Sequence, residues 1–177
     1  MDFTEKTIGV HQIYDGKIIK VRVEDILRPD GKQAKRELIG HPGGVGMIAV
    51  TPEKKVLTVT QYRIACRKNI LEVPAGKLEY GEDPLTCGIR ELEEETGYRA
   101  GKVQHLGEYY PTPGYCEEKI NLYLATELTK TEQNLDEGEF LKVEEFPLDD
   151  LFQMVMNNEI ADAKTAIAIL KAKAILG

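Results

Sequence analysis

The stretch Gly76–Tyr98, GKLEYGEDPLTCGIRELEEETGY, determines how the rest of the chain is read. Asp83 suits a helix N-cap, Pro84 the first helical position and Gly97 the C-terminal cap, so a helix is expected over Pro84–Thr96. Leu85, Ile89, Leu92 and Thr96 would form its apolar stripe. At about 100° per residue, Glu91 and Glu95 project from one side beside that stripe, and Glu94 lies further round towards solvent. Like charges at i and i+4 repel, and acids in the last turns face the negative end of the helix dipole. A bound divalent cation removes both conflicts. The plainer alternative is a solvated acidic face with Arg90 as a partner. Hard oxygen ligands favour Mg²⁺, with Mn²⁺ as a substitute.

Strands are expected on both sides of this helix. Residues 5–28 alternate loosely between apolar and polar, Pro29-Asp30-Gly31 makes a hairpin turn, and Lys35–Ile39 returns. His41-Pro42-Gly43-Gly44 is a break, so residues 1–42 are expected to form an N-terminal β-sheet segment and residues 43–177 the main domain. Val45–Val50 and Lys55–Gln61 have near-continuous apolar runs, as central strands do. Asn69–Val73 is a further short strand, closed by Pro74-Ala75-Gly76. Beyond the helix, strands are expected at Lys102–Tyr110, Lys119–Glu127 and Phe140–Phe146, and helices at Leu148–Met156 and Ala161–Leu176. Mixed strands with few helices imply an α+β fold.

Composition excludes several classes. The chain of 177 residues has a net charge of −7, which argues against nucleic-acid or anionic-membrane surfaces, and its 42% apolar content supports a packed core. No apolar run approaches the roughly 18 residues of a membrane span, and MDFTEK lacks the marks of a signal peptide. Cys66, Cys87 and Cys116 form no CxxC pair and read as free thiols in a reducing compartment. A cytoplasmic protein is expected. His11, His41 and His105 stand alone and read as packing or surface residues.

The full spacing of Gly76, Glu82, Arg90-Glu91, Glu94-Glu95 and Gly97 resembles the Nudix box, with Tyr98 a mild departure where an aliphatic residue is usual. The resemblance implies a mixed β-sheet between helices and Mg²⁺-dependent hydrolysis of a nucleoside diphosphate linked to another moiety. Leu71–Lys77, Gln61-Tyr62-Arg63, Pro113 sixteen residues past Gly97, and the acidic loop Leu135–Phe140 resemble the bacterial ADP-ribose pyrophosphatases of that family. Such an enzyme converts ADP-ribose to AMP and ribose 5-phosphate. Another nucleoside diphosphate or triphosphate substrate is the first alternative, and a non-catalytic ADP-ribose sensor the second.

The resemblance assigns roles residue by residue. Glu91 and Glu95 would be metal ligands, with the Ala75 carbonyl and Glu139 as further ligands. Glu94 would be a third helix ligand or an outer carboxylate, and it competes with Glu137 as the catalytic base. Gly76 would allow a tight turn, and Glu82 and Arg90 would pair to hold the loop against the helix, since arginine cannot deprotonate to act as a base. Arg63 would contact the diphosphate through its two-pronged fork; Arg36 is a secondary candidate that reads equally as a solvated edge-strand charge. Glu118 would accept from ribose hydroxyls, and Glu72 would bind substrate or cap a strand end. Tyr14, Tyr62 and Tyr115 are unranked platforms for adenine. The N-terminal strands would form a homodimer contact and help complete the partner's site.

Overall fold

Every residue of β4 (Gly44–Val50) is buried, because helices cover both faces of the sheet that contains it. Alternate side chains of a strand point to opposite faces. Val45, Met47 and Ala49 enter one core with Cys87 and Leu92, while Ile48 and Val50 enter another with Leu148, Leu151, Ala168, Ile169 and Ala172. The computed structural model describes residues 2–177. It separates into two compact units, one formed by the chain up to Gly43 with Tyr110–Lys119, the other by Gly44–Tyr109 and Ile120–Gly177.

The larger unit holds a seven-stranded mixed sheet of order β10-β5-β4-β9-β8. The strands are β5 (Lys55–Arg63), β6 (Lys68–Glu72), β7 (Ala75–Lys77), β8 (Tyr98–Tyr109), β9 (Ile120–Lys130) and β10 (Leu141–Pro147). β4 runs parallel to β9 from Gly44↔Ile120 to Ala49↔Ala125 and antiparallel to β5 and β7. β6 pairs with β5 off the main path. Helix α1 (Pro84–Thr96) contributes Cys87 and Leu92 to one core. Helices α2 (Leu148–Met156) and α3 (Ala163–Leu176) contribute their buried residues to the other. The layers are those of the expected α+β fold.

Both caps of α1 form as anticipated. Asp83 accepts from the Thr86 amide at 2.8 Å, and Gly97, at φ 70°, donates its amide to Glu93 O at 2.8 Å. The left-handed turn at Gly97 also starts β8 at once, at Tyr98 rather than Lys102. The buried face of α1 is rotated from the expected stripe. Leu85 is exposed at the rim, while Cys87, Gly88, Leu92, Glu95 and Thr96 are buried, so a carboxylate sits in the middle of the buried face. α3 begins two residues later than expected because Asp162 caps it, accepting from the Thr165 amide at 3.0 Å and hydroxyl at 2.6 Å. Of Pro74-Ala75-Gly76, expected to close the preceding strand, Ala75 and Gly76 are the first two residues of the short strand β7.

The smaller unit holds an antiparallel sheet β1-β2-β3, with β1 (Lys6–Asp15), β2 (Lys20–Leu27) and β3 (Gln33–Gly40). The β2–β3 turn places Gly31 at φ 78°, as the Pro-Asp-Gly sequence anticipates. Residues 110–119 return to this sheet: the Ile39 amide donates to Tyr115 O at 2.8 Å and the Glu117 amide to Ile39 O at 2.9 Å. Arg22 clamps Glu117 through two guanidinium nitrogens. Edge strand β1 leaves Ile8, Val10, Ile13 and Tyr14 exposed. Among the described residues no helix is long and apolar enough to cross a membrane.

Candidate active site

The site in the larger unit is built around the contact of β7 with the last two turns of α1. The Ala75 amide donates to Glu95 Oε2 at 2.9 Å. Glu95 is 4% exposed, and its carboxyl is pushed up to about 8. Burial is the main cause; the Ala75 hydrogen bond opposes it, and the charges of Glu91 and Glu139 reinforce it. Gly76 is needed for close approach and not for a tight turn. Its φ lies outside the left-handed region, and a Cβ there would overlap the Glu91 carboxylate. Burial also raises the Glu91 carboxyl, against the neighbouring Arg90, with Glu94 and Glu139 adding repulsion.

Arg90 braces this face. It reaches Glu94 at 2.7 Å, Glu91 at 2.9 Å and Glu82 at 3.5 Å, while Glu82 accepts from the Glu79 amide at 2.9 Å. One guanidinium therefore ties the box loop to the helix. The C-terminal end of α1 is held by residues 133–134: the Gln133 side chain donates to Glu95 O at 2.6 Å and the Asn134 amide to Glu94 O at 3.0 Å. These contacts anchor the loop that carries Glu137 and Glu139. In that loop the Glu139 amide donates to Asp136 O at 3.0 Å, and Gly138 takes φ 89°. Both glutamates are exposed, and the charge of Glu139 is felt at Glu91 and Glu95.

Arg63 and Glu72 meet on adjacent strands. Arg63 donates through Nε at 2.7 Å and Nη2 at 2.8 Å to the two oxygens of Glu72, whose side chain is 3% exposed. Lys164 of α3 pairs with the same carboxylate. Burial alone would raise the Glu72 carboxyl, but Arg63 and Lys164 outweigh it and hold the group below its ordinary range. Glu72 is the main cause that raises the Arg63 guanidinium, and the charge of Glu95 adds to it.

The remaining candidates, apart from Tyr62, lie in the smaller unit. Arg36 is paired with Glu5, donating through Nε at 2.9 Å and also through Nη2, and lines a cavity of about 560 Å³ with His11, Lys35 and Glu37. Glu118 lies 3.8 Å from His41 Nδ1, which instead accepts from the Gly43 amide at 3.1 Å. Tyr14 and Tyr115 are exposed there, and Tyr62 is exposed on β5. Lys164, Asp162, Thr165 and Gln133 were not anticipated as parts of the site. The one available signal was Glu72 itself, an acid in an apolar strand that needs compensating cations.

The carboxylates fit a divalent cation. Glu139 raises the carboxyls of both Glu91 and Glu95, Glu91 adds to the rise at Glu95, and Glu95 is buried with the Ala75 amide donating to it. Among the described residues, no three His, Cys, Asp or Glu side chains are already gathered into a cation cage.

Comparison with known proteins places the chain in a family. The NUDIX domain profile matches residues 40–167, and the nucleoside diphosphate sugar hydrolase N-terminal domain profile matches residues 5–39. The chain belongs to the Nudix family and is a hydrolase of acid anhydrides in nucleoside diphosphate compounds. It is 47% identical to the ADP-ribose pyrophosphatase of Bacillus subtilis over 93% of this chain and 90% of that one. It is 46% identical to the methanol dehydrogenase activator of Bacillus methanolicus over 94% and 91% of the two chains. A crystal structure of an ADP compounds hydrolase superposes with a TM-score of 0.87 at 19% identity, covering 99% of this chain and 96% of the other, which establishes the shared fold. Nudix hydrolases generally use divalent metal ions.

Proposed function

We propose that the protein hydrolyses the diphosphate bond of ADP-ribose with Mg²⁺, giving AMP and ribose 5-phosphate. The observation that carries this reading is the Ala75–Gly76/Glu91–Glu95 contact, a buried pair of carboxylates on a helix that closes against a glycine strand. The similarity to the Bacillus subtilis enzyme and the Pro113 segment support the substrate.

Glu91, Glu95, Glu139 and the Ala75 carbonyl would hold the metal, which neutralises diphosphate charge and lowers the pKa of water. Mn²⁺ satisfies the same oxygen donors. Arg63 presents its outer edge to the diphosphate. Glu72 acts by holding Arg63, since both of its oxygens are engaged by cations. Glu137, on an exposed turn beside Gly138, takes the proton from the attacking water, with Glu94 the alternative because Arg90 already engages it. Glu118 and Arg36 contact the ribose and diphosphate portions. Gly76, Glu82, Arg90 and Gly97 keep strand, loop and helix in register. Residues 1–42 form a dimerisation segment, residues 43–177 form a Nudix domain, and the enzyme works in the cytoplasm as a homodimer.

The match of residues 5–39 to a nucleoside diphosphate sugar hydrolase profile favours a second reading, a wider range of nucleotide-sugar substrates. A non-catalytic sensor is disfavoured by the presence of Glu91, Glu94 and Glu95 together. Incubation with Mg²⁺ and a panel of ADP-ribose, nucleotide sugars and nucleoside triphosphates, in ¹⁸O water, tests the assignment. ADP-ribose should give the highest kcat/KM, with AMP and ribose 5-phosphate as products. Preference for a nucleoside triphosphate would overturn it.

A further inference from the structure

We infer that Lys164, in the first turn of α3, is a positioning residue that neutralises Glu72 so that Arg63 can present its positive charge to a bound diphosphate. The inference rests on the proposed site and adds a residue to it. Glu72 is buried and accepts the Arg63 fork on both oxygens. With only that partner the carboxylate would cancel most of the guanidinium charge, and a diphosphate would meet a nearly neutral pair. Lys164, 12% exposed, adds a second cation on Glu72 Oε2. Arg63, at 42% exposed, then stands at the open end of the row with its outer edge unspent on Glu72.

The position of Lys164 is itself fixed. Asp162 accepts from Lys164 Nζ at 3.0 Å and from the Thr165 amide and hydroxyl, so one carboxylate caps α3 and aims the ammonium group. Thr165 Oγ1 in turn accepts from the Val73 amide at 2.8 Å. The first turn of α3 thus grips two successive residues of the segment that leads to Ala75, the partner of Glu95. Four side chains alternate in sign from Asp162 through Lys164 and Glu72 to Arg63, which ends the row as its most exposed cation.

Three full-length proteins with Mg²⁺ test this: Lys164→Met, Lys164→Arg and the double variant Glu72→Gln/Lys164→Met. Lys164→Met should raise KM for ADP-ribose about tenfold or more with kcat within about threefold, the pattern of lost ground-state binding. Lys164→Arg should stay near wild type. The double variant, which removes the uncompensated carboxylate, should recover most of the KM loss. An unchanged KM in Lys164→Met overturns the inference. So does a loss of kcat that the double variant shares, since that marks a scaffold role. If wild type does not cleave ADP-ribose, the substrate assignment fails, and calorimetric binding of ADP with Mg²⁺ decides the positioning role separately. About tenfold weaker binding in Lys164→Met, relieved in the double variant, supports it; equal affinity refutes it.

Discussion

The Glu91 carboxylate occupies the space that a Cβ on Gly76 would need. The glycine is therefore part of the site's geometry, although it carries no chemistry. Gly76→Ala should push Glu91 off its position and lower kcat by about tenfold or more, with the fold retained. Steady-state kinetics with circular dichroism would check this, and wild-type turnover in the variant would refute it.

Charge removal within the cluster should cost more. Glu91→Gln or Glu95→Gln should reduce turnover by at least about 10²-fold, since each loses an anionic oxygen ligand for a hard cation. In the metal-free protein above about pH 8, Glu95→Gln should be neutral or stabilising, because there a buried charge is replaced by a neutral amide. Thermal melting with and without Mg²⁺ separates the two effects.

The base is assigned by comparison of two variants. Glu137→Gln should lower kcat far more than it changes KM, as expected of a group that acts on the attacking water. Glu94→Gln, which also frees one arm of Arg90, should have the smaller effect on kcat. The reverse order would move the base onto α1.

Glu95 also sets a pH dependence. Its folded-state pKa of about 8 stands above the ordinary 4.5, so the folded protein binds this proton more tightly than the unfolded chain. The contribution of Glu95 to stability is therefore greatest below about pH 4.5, declines as pH rises to about 8 and then levels off. Metal-free melting temperatures should fall across that window, and saturating Mg²⁺ should flatten the fall. A flat metal-free profile would count against the burial of this carboxylate.

The exposed apolar side chains of β1 make a dimer contact testable. Sedimentation equilibrium at micromolar protein should give about twice the chain mass, and Ile13→Glu should shift the population towards monomer. A wild-type monomer would leave the edge strand without that role.

Much of this was legible locally. Asp83, Pro84 and Gly97 mark both ends of α1, and the spacing of Glu91, Glu94 and Glu95 within the box pointed to the carboxylate face. Long-range pairing was harder to read. Lys164 and Glu72 lie 92 positions apart, and nothing in a run such as Ala163–Leu176 marks one lysine as inward-facing. Residue type does not give the orientation of α1: the periodicity of apolar side chains favours Leu85, whereas tertiary packing buries Glu95 and leaves Leu85 at the rim. Local sequence around Gly76 suggests a turn, whereas the glycine is required by a carboxylate that arrives from fifteen residues away.

The two-sided burial of β4 has a consequence for how this chain can change. A one-residue insertion in the strand would exchange the two sets of side chains between the two cores. Polarity would hardly object, since both destinations are apolar. Size would. At Gly46 a Cβ would stand 2.9 Å from Leu122 Cδ2, and at Gly44 3.2 Å from the Gly76 carbonyl. Moving valine or methionine into those places drives bulk against β9 and against β7, the strand that meets Glu91 and Glu95. The central strand should therefore accept conservative replacements in place far more readily than any change of length.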